Sequence, residues 1–282
     1  MKVGPAQFSF LRDLLHKRTG VVIDTAKEYL VVARLMPIVR QRRIPSIDTL
    51  IDRIRNGMDA TLERDVLSAM MTHETSFFRD KSPFETLRDV LPGIIKRRAA
   101  FRQLTFWSAA CSTGQEPYSL AMLLNEHFRD LLGGWRVRII ATDYSEDVIV
   151  TAREGLYSDL ETARGLAPEL KARYFRPLLG KWSISQDCRR LVEFRGLNLN
   201  DVWSTIPTCD VVLLRNVMIY FDVRTRATLV EKVRRVLRPD GLLFLGGAET
   251  LIGIDTGYER LAGKGCTYYR PASSRSPTGR SR

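Results

Sequence analysis

Apolar positions in the first hundred residues recur at helical spacing. Phe8, Leu11, Leu14 and Leu15 share one face of a first helix. A second is predicted from Lys27 to Arg43. Pro37 should kink or split it, since proline has no amide to donate. A third runs from Ile47 to Ile54, with Asp48 near its start. Leu62, Val66, Ala69 and Met70 mark a fourth. Ser82-Pro83 then has the form of an N-cap followed by a first-turn proline. That fifth helix shows Phe84, Leu87 and Leu91 on one side, and Pro92-Gly93 predicts its interruption. No strand pattern precedes residue 103.

The period then changes. Leu104–Ala110, Val137–Thr142, Leu191–Phe194, Asp210–Leu214 and Leu242–Leu245 read as strands. Amphipathic stretches lie between them at Pro117–Phe128, Glu146–Arg153 and Arg224–Leu237. Strands alternating with helices predict a largely parallel sheet covered on both faces. The segment from Glu161 to Arg190 breaks the alternation. RGLAPELKARYF reads as a helix. KWSISQDCRRLVEF reads as short antiparallel strands joined around Gln186-Asp187, an insertion into the α/β part. A boundary is expected near residues 80–100, and no internal repeat is present.

A length of 282 residues allows one large domain or two smaller ones. With 44% apolar and 27% charged residues, global disorder and a fibrous chain are excluded. No window reaches the ~18 apolar residues of a membrane helix, and the first residues lack a signal peptide's apolar core. Cys111, Cys188, Cys209 and Cys266 are far apart, which disfavours a disulfide framework or zinc site and fits a reducing cytosol. His16, His73 and His127 have no metal-ligand spacing. The net charge of +12 permits nucleic acid, an acidic membrane face or an acidic protein partner. Arg270, Arg275, Arg280 and Arg282 belong to the Pro/Ser/Gly-rich end, predicted to be a disordered basic tail over 271–282. The other +8 sits on the rest of the chain.

Open α/β sheets bind ligands at the carboxyl ends of their strands. The first strand here ends in Ser108-Ala-Ala-Cys-Ser-Thr-Gly-Gln-Glu-Pro117. That is a small-residue turn into a helix without the G-x-G-x-x-G of a pyrophosphate cradle. A nucleoside lacking phosphates fits it better than a dinucleotide; a plain tight turn is the other reading. Asp143 closes the second strand, where a carboxylate can accept both ribose hydroxyls or simply cap the next helix. Ser145 competes for that cap. Arg215 and Asn216 follow an apolar strand, where burial without partners would be costly. Tyr220 comes just after, either facing the cleft or packed beneath the following helix. The segment Met71–Asp80 is polar with two aromatics and an arginine. Phe77-Phe78 could be core there, Arg79 a surface charge and His73 a structural histidine.

Together these segments resemble one family, the chemotaxis receptor glutamate methyltransferases (CheR-type). The matching strings are THETSFFRD, FWSAACSTGQEPYSLAM, ATDYSEDVIVTAREGLY, RYF, NLND, LLRNVMIYFD, VRRVLRPDGLLFLGGAE and TYYR, in the family's order across residues 10–270. The resemblance implies an α/β fold: a Rossmann-like methyltransferase domain over 99–270 that binds S-adenosylmethionine (SAM). It adds an all-helical domain over 1–80, a linker helix over 81–98 and an antiparallel β-subdomain inserted at about 176–194. It assigns SAM contacts to Thr75, Arg79, Glu116, Asp143, Asn198, Leu199, Leu214 and Arg215, with Asn216 adjacent. His73 stands where the family usually has Asn, and Gln115 where it usually has Glu. Arg79 and Tyr220 are implied near the methyl-transfer centre.

The implied reaction moves the SAM methyl to a glutamate carboxylate, leaving S-adenosylhomocysteine (SAH). That acceptor is already ionised at neutral pH. No strong base is needed, which agrees with the lack of a Ser/His/Asp or Cys/His arrangement. The implied partners are the methylation helices of membrane receptors, met in the cytoplasm, without membrane insertion, nucleic acid or metal. Arg34, Arg40, Arg42 and Arg43 are expected to steer an acidic helix face, or to form an ordinary solvated face. The stretch between Phe175 and Asn198 is shorter than in relatives that use a receptor tether peptide. Two further readings stay open: a SAM methyltransferase acting on nucleic acid or a small molecule, and a non-catalytic SAM-binding adaptor.

Overall fold

The structure, a computed structural model, describes residues 3–254 and 257–272. Four helices come first: α1 (Pro5–Thr19), α2 (Glu28–Gln41), α3 (Ile47–Arg55) and α4 (Ala60–Ala69). Their apolar stripes meet in a core of their own, with Leu11, Leu15, Val31, Leu35, Leu50, Ile51 and Val66 buried. Ser46 and Asp59 cap α3 and α4 by accepting from Thr49 N, and from Thr61 N and Leu62 N. The helix α2 is continuous across Pro37, so the split that proline allowed does not occur. The amide lost there is a cost of ~3 kcal/mol, and buried Val31, Leu35 and Val39 on both sides hold the helix together.

The next helix, α5 (Ser82–Arg98), likewise continues through Pro92. Ser82 is its first residue, with Lys81 at the capping position. It is more than a linker. Phe84, Leu87, Leu91 and Ile94 are buried in the core that also holds Phe106 and Ile139. Alternating elements follow: β1 (Gln103–Ala109), α6 (Gln115–His127), β2 (Arg136–Asp143), α7 (Glu146–Glu154), β3 (Leu156–Tyr157), α8 (Asp159–Ala163) and α9 (Pro168–Tyr174). After them come β4 (Phe175–Leu178), β5 (Lys181–Ile184), α10 (Gln186–Arg189), β6 (Val192–Gly196) and β7 (Cys209–Leu214). The chain ends in α11 (Val223–Val236), β8 (Leu237–Leu245), β9 (Tyr258–Ala262) and β10 (Thr267–Pro271).

The main sheet has the order β6-β2-β1-β7-β8-β10-β9. Its first five strands are parallel, and β10 is antiparallel to both neighbours. Successive side chains point to opposite faces. Phe106, Ile139, Val211 and Phe244 therefore meet α5 and α6, while Trp107, Ile140, Val212 and Leu243 meet α11. A mixed α/β architecture with a separate helical part is what the strand–helix alternation implied.

The insertion is drawn differently from the expected 176–194. A small antiparallel sheet, ordered β3-β5-β4, takes its strands from 156–157, 175–178 and 181–184. Gln186–Arg189 is a helical turn that buries Cys188, not a strand-joining turn. Val192–Gly196 then leaves the insertion and pairs in parallel with β2, Ile139 opposite Val192 and Asp143 opposite Gly196. The Arg138–Glu193 ion pair across those strands, at 2.7 Å, helps to set that register. The tail expected over 271–282 lies outside the described residues except for two. Pro271 closes β10, and Ala272 N donates to Gly257 O at 2.7 Å.

Candidate active site

From β1 the chain steps outward to β2 and β6, then returns to place β7 on the other flank of β1. The switch point between β1 and β7 is where such sheets open a crevice. A cavity lies there, and the helical part closes it from above through Met70–Thr75 and Val21. Hydrogen bonds tie the two parts across it. Ser68 Oγ donates to Ser145 Oγ at 2.6 Å, and Val22 N donates to Tyr220 O at 2.9 Å.

Asp143 ends β2 on the cavity wall. Its Oδ2 accepts Ser112 N at 2.8 Å and its Oδ1 accepts Ser145 N at 3.1 Å. These amides orient the carboxylate and leave lone pairs on both oxygens. Burial raises its pKa above the usual value, with the Ser145 and Ser112 amides and nearby His73 pulling the other way. Ser145 occupies the position before α7, but its hydroxyl makes no cap bond.

Arg215 is buried at the end of β7 and joins three segments. Nη1 donates to Glu116 Oε2 at 2.8 Å. Nη2 donates to Arg79 O at 2.6 Å and to Asp80 Oδ2 at 2.9 Å. Its Nε is buried without a partner. Glu116, in the first turn of α6, also accepts from Ser108 Oγ at 2.7 Å. The 73–80 loop is nailed down by its aromatics. Phe77 is buried edge-on to Tyr157 and Phe175, and Phe78 N donates to Ser119 Oγ at 2.8 Å. A Cβ on Gly165 would lie 2.0 Å from Phe77 O, so only glycine admits that approach. Phe77 is therefore core, as one reading of the sequence had it, and its burial is what carries Arg79 to the cavity.

Among the described residues, three of the nine non-glycine positions with positive φ line the cavity, Ala110, Ser112 and Asn216, and a fourth, Asp80, bonds Arg215 beside it. Strain of this kind collects at functional sites. Cys111 lines the cavity too. Its thiol is buried and held protonated by burial and by the Asp143 and Glu116 charges, so it is no nucleophile.

The cavity brings together His73, Thr75, Arg79, Glu116, Asp143, Arg215, Asn216 and Tyr220. It does not bring Leu214, Asn198 or Leu199 to its lining. Leu214 is fully buried beneath Arg215. Asn198 Nδ2 donates to Arg18 O at 2.7 Å, and Leu199 O accepts Lys232 Nζ at 2.7 Å. Two of the four arginines on α2 and the turn after it are also otherwise engaged. Arg34 Nη2 donates to Thr72 Oγ1 at 2.8 Å and Nη1 to Met70 O, holding the lid in place. Arg42 pairs with Asp65. Arg40 and Arg43 are exposed. Val21, Met70 and Tyr144 line the cavity without having been singled out, because nothing distinguishes them from core in the sequence.

The SAM-binding domain of the CheR methyltransferases matches residues 73–265, and the all-alpha domain of the same proteins matches residues 6–72. The chain belongs to the CheR methyltransferase family. It is 40% identical to chemotaxis protein methyltransferase 1 of Pseudomonas aeruginosa and 38% identical to chemotaxis protein methyltransferase Cher2 of Pseudomonas putida. Each match spans 92% of this chain and 95% of the relative. It is 31% identical to the chemotaxis protein methyltransferase of Escherichia coli, over 95% of this chain and 92% of that one. This CheR chain is thus a SAM-dependent methyltransferase. The step from residue 72 to 73, where the two matches meet, falls in the segment that roofs the cavity. Among the described residues no helix is long and apolar enough to cross a membrane.

Proposed function

We propose that this CheR methyltransferase esterifies glutamate side chains of chemotaxis receptors in the cytoplasm. One observation carries the reading: the cavity offers a guanidinium with donors to spare, while two of its glutamates are paired and its one thiol is neutral. Glu116 is held by Ser108 and Arg215, and Glu74 pairs with Arg164 at 2.5 Å. The His73 ring faces the Ser68 carbonyl, with Nε2 at 3.4 Å, and the Cys111 thiol stays neutral. Such a site suits an acceptor that arrives ionised. A glutamate carboxylate, with an ordinary pKa of about 4.3, does so. Arg79 has one guanidinium nitrogen on Glu74 O at 2.8 Å and others left over. It suits a carboxylate by forked, charge-assisted bonding.

The donor set fits SAM. Asp143 would accept the ribose hydroxyls. The unpartnered Nε of Arg215 suits the methionine carboxylate. SAM supplies the activated methyl. The chain's own residues align acceptor and donor and keep water out. Tyr220 forms the wall facing the 73–80 loop. Incubation with tritiated SAM and receptor cytoplasmic fragments tests the function: base-labile label on the receptor is expected. Label on RNA, or SAM binding without transfer, would replace it with one of the other two readings.

Asp143→Ala is expected to weaken SAH binding by ~1.5–3 kcal/mol, the scale for hydrogen bonds to a charged acceptor. The pH dependence follows from its raised pKa. Only the ionised form accepts on both oxygens. Affinity is therefore full above that pKa and falls as pH drops through it, starting at higher pH than an ordinary Asp would give. Calorimetric titration at descending pH, with Asp143→Ala as the flat control, checks both.

With Arg34 and Arg42 engaged, docking is proposed to fall to exposed Arg40 and Arg43. Reversing both to Glu should slow receptor methylation at low salt and leave SAH affinity unchanged. The deficit should shrink at higher salt, since charges are screened over ~8 Å at physiological ionic strength. A double variant with the wild-type low-salt rate would remove these residues from docking.

A further inference from the structure

Glu249 lies just past β8 and does not line the cavity, yet its carboxylate accepts five backbone amides. Oε2 takes Asn216 N and Gly246 N, each at 2.7 Å. Oε1 takes Met218 N at 2.7 Å, Val217 N at 3.0 Å and Ile219 N at 3.3 Å. Four of these amides belong to consecutive residues, the turn that runs from Arg215 to Tyr220. Asn216 holds a φ of 57°, so this is not a regular helix start. Amides that converge on one point form a concavity suited to an anion. Here the chain supplies the anion itself. Gly246 makes room for it: a Cβ there would sit 2.7 Å from both Asn216 Nδ2 and Glu249 Oε2. From the other side Arg226 Nε donates to Met218 O at 2.9 Å and Phe221 O at 2.8 Å.

We propose that Glu249 is a positioning residue for methyl transfer. It holds residues 216–219 in the one shape that sets Asn216 and Tyr220 on the cavity wall. The inference rests on the reading that places Tyr220 at the methyl-transfer end. Glu249 acts through that turn and not on substrate. The Asp143 end of the cavity is held by separate bonds, from Ser112 and Ser145.

Glu249→Gln keeps the size but sets an NH₂ group against amides that need an acceptor. The expected result is a fall in kcat of about 10²-fold, the scale of a small misplacement at a reacting centre. SAH affinity and the KM for receptor fragments should change little, while the melting temperature falls, because amides lose their acceptor. In a Tyr220→Ala background the same substitution should cost little further in kcat, because the ring at the methyl-transfer end is gone. Gly246→Ala, which crowds the same carboxylate without changing charge, should reproduce the kcat loss should Glu249→Gln fold poorly. Wild-type kcat in both variants, or an equal loss with and without Tyr220, would overturn the proposal. A Tyr220→Ala enzyme with the wild-type rate would instead remove the site reading beneath it, and the proposal with it.

Discussion

Arg79→Ala is expected to lower receptor methylation by ~10²-fold or more, the penalty for a mispositioned reacting group. Arg79 sits on the 73–80 loop, and its own carbonyl is gripped by Arg215 at 2.6 Å. Its side chain is half-buried at the cavity, held only at Glu74 O among the described residues. Removing it deletes a cation but no core contact, so the melting temperature should barely move. Tyr220 borders the same cavity 141 positions later, its carbonyl fixed by Val22. Tyr220→Phe separates two roles for that ring. Full activity in Phe with loss in Ala would make the ring a wall; loss in both would give the hydroxyl a part. A wild-type methylation rate in Arg79→Ala would contradict the assignment of the site.

Arg215→Ala should cost about 3–5 kcal/mol in unfolding, because it strands buried charge. The side chain is 1% exposed and its partner Glu116 is 12% exposed. Without the guanidinium, Glu116 keeps only Ser108, and the 79–80 peptide loses its tie to β7. SAH affinity should fall in the same variant. Denaturant melts and calorimetry on one preparation test both effects. Undiminished stability would mean that water takes over these bonds.

The sequence displayed what local chemistry decides. Asp143 could be placed because the β-branched run Val137–Thr142 ends on it. Arg215 stood out because a charge follows the apolar run Val211–Leu214. What escaped depends on contacts distant in the chain. Pro37 and Pro92 look like breaks, but packing on either side outweighs one lost hydrogen bond. KWSISQDCRRLVEF reads as one hairpin, but its second half is captured by β2. Arg34 and Arg42 read as surface charges until folding brings Thr72 and Asp65 to them. Asn198 and Leu199 carried the family's pattern, but their polar groups face α1 and α11. Glu249 had a faint signal, a carboxylate following a glycine pair at a strand end. Only the structure shows which amides it gathers.

The acceptor proposed for this chain is a glutamate carboxylate. Peptide mapping of receptor cytoplasmic fragments after incubation with this chain and SAM tests it most directly. Methyl groups are expected on glutamate side chains, removed by mild alkali and formed ~10²-fold more slowly when Arg79→Ala replaces the wild type. Alkali-stable methyl groups on any other side chain would contradict it.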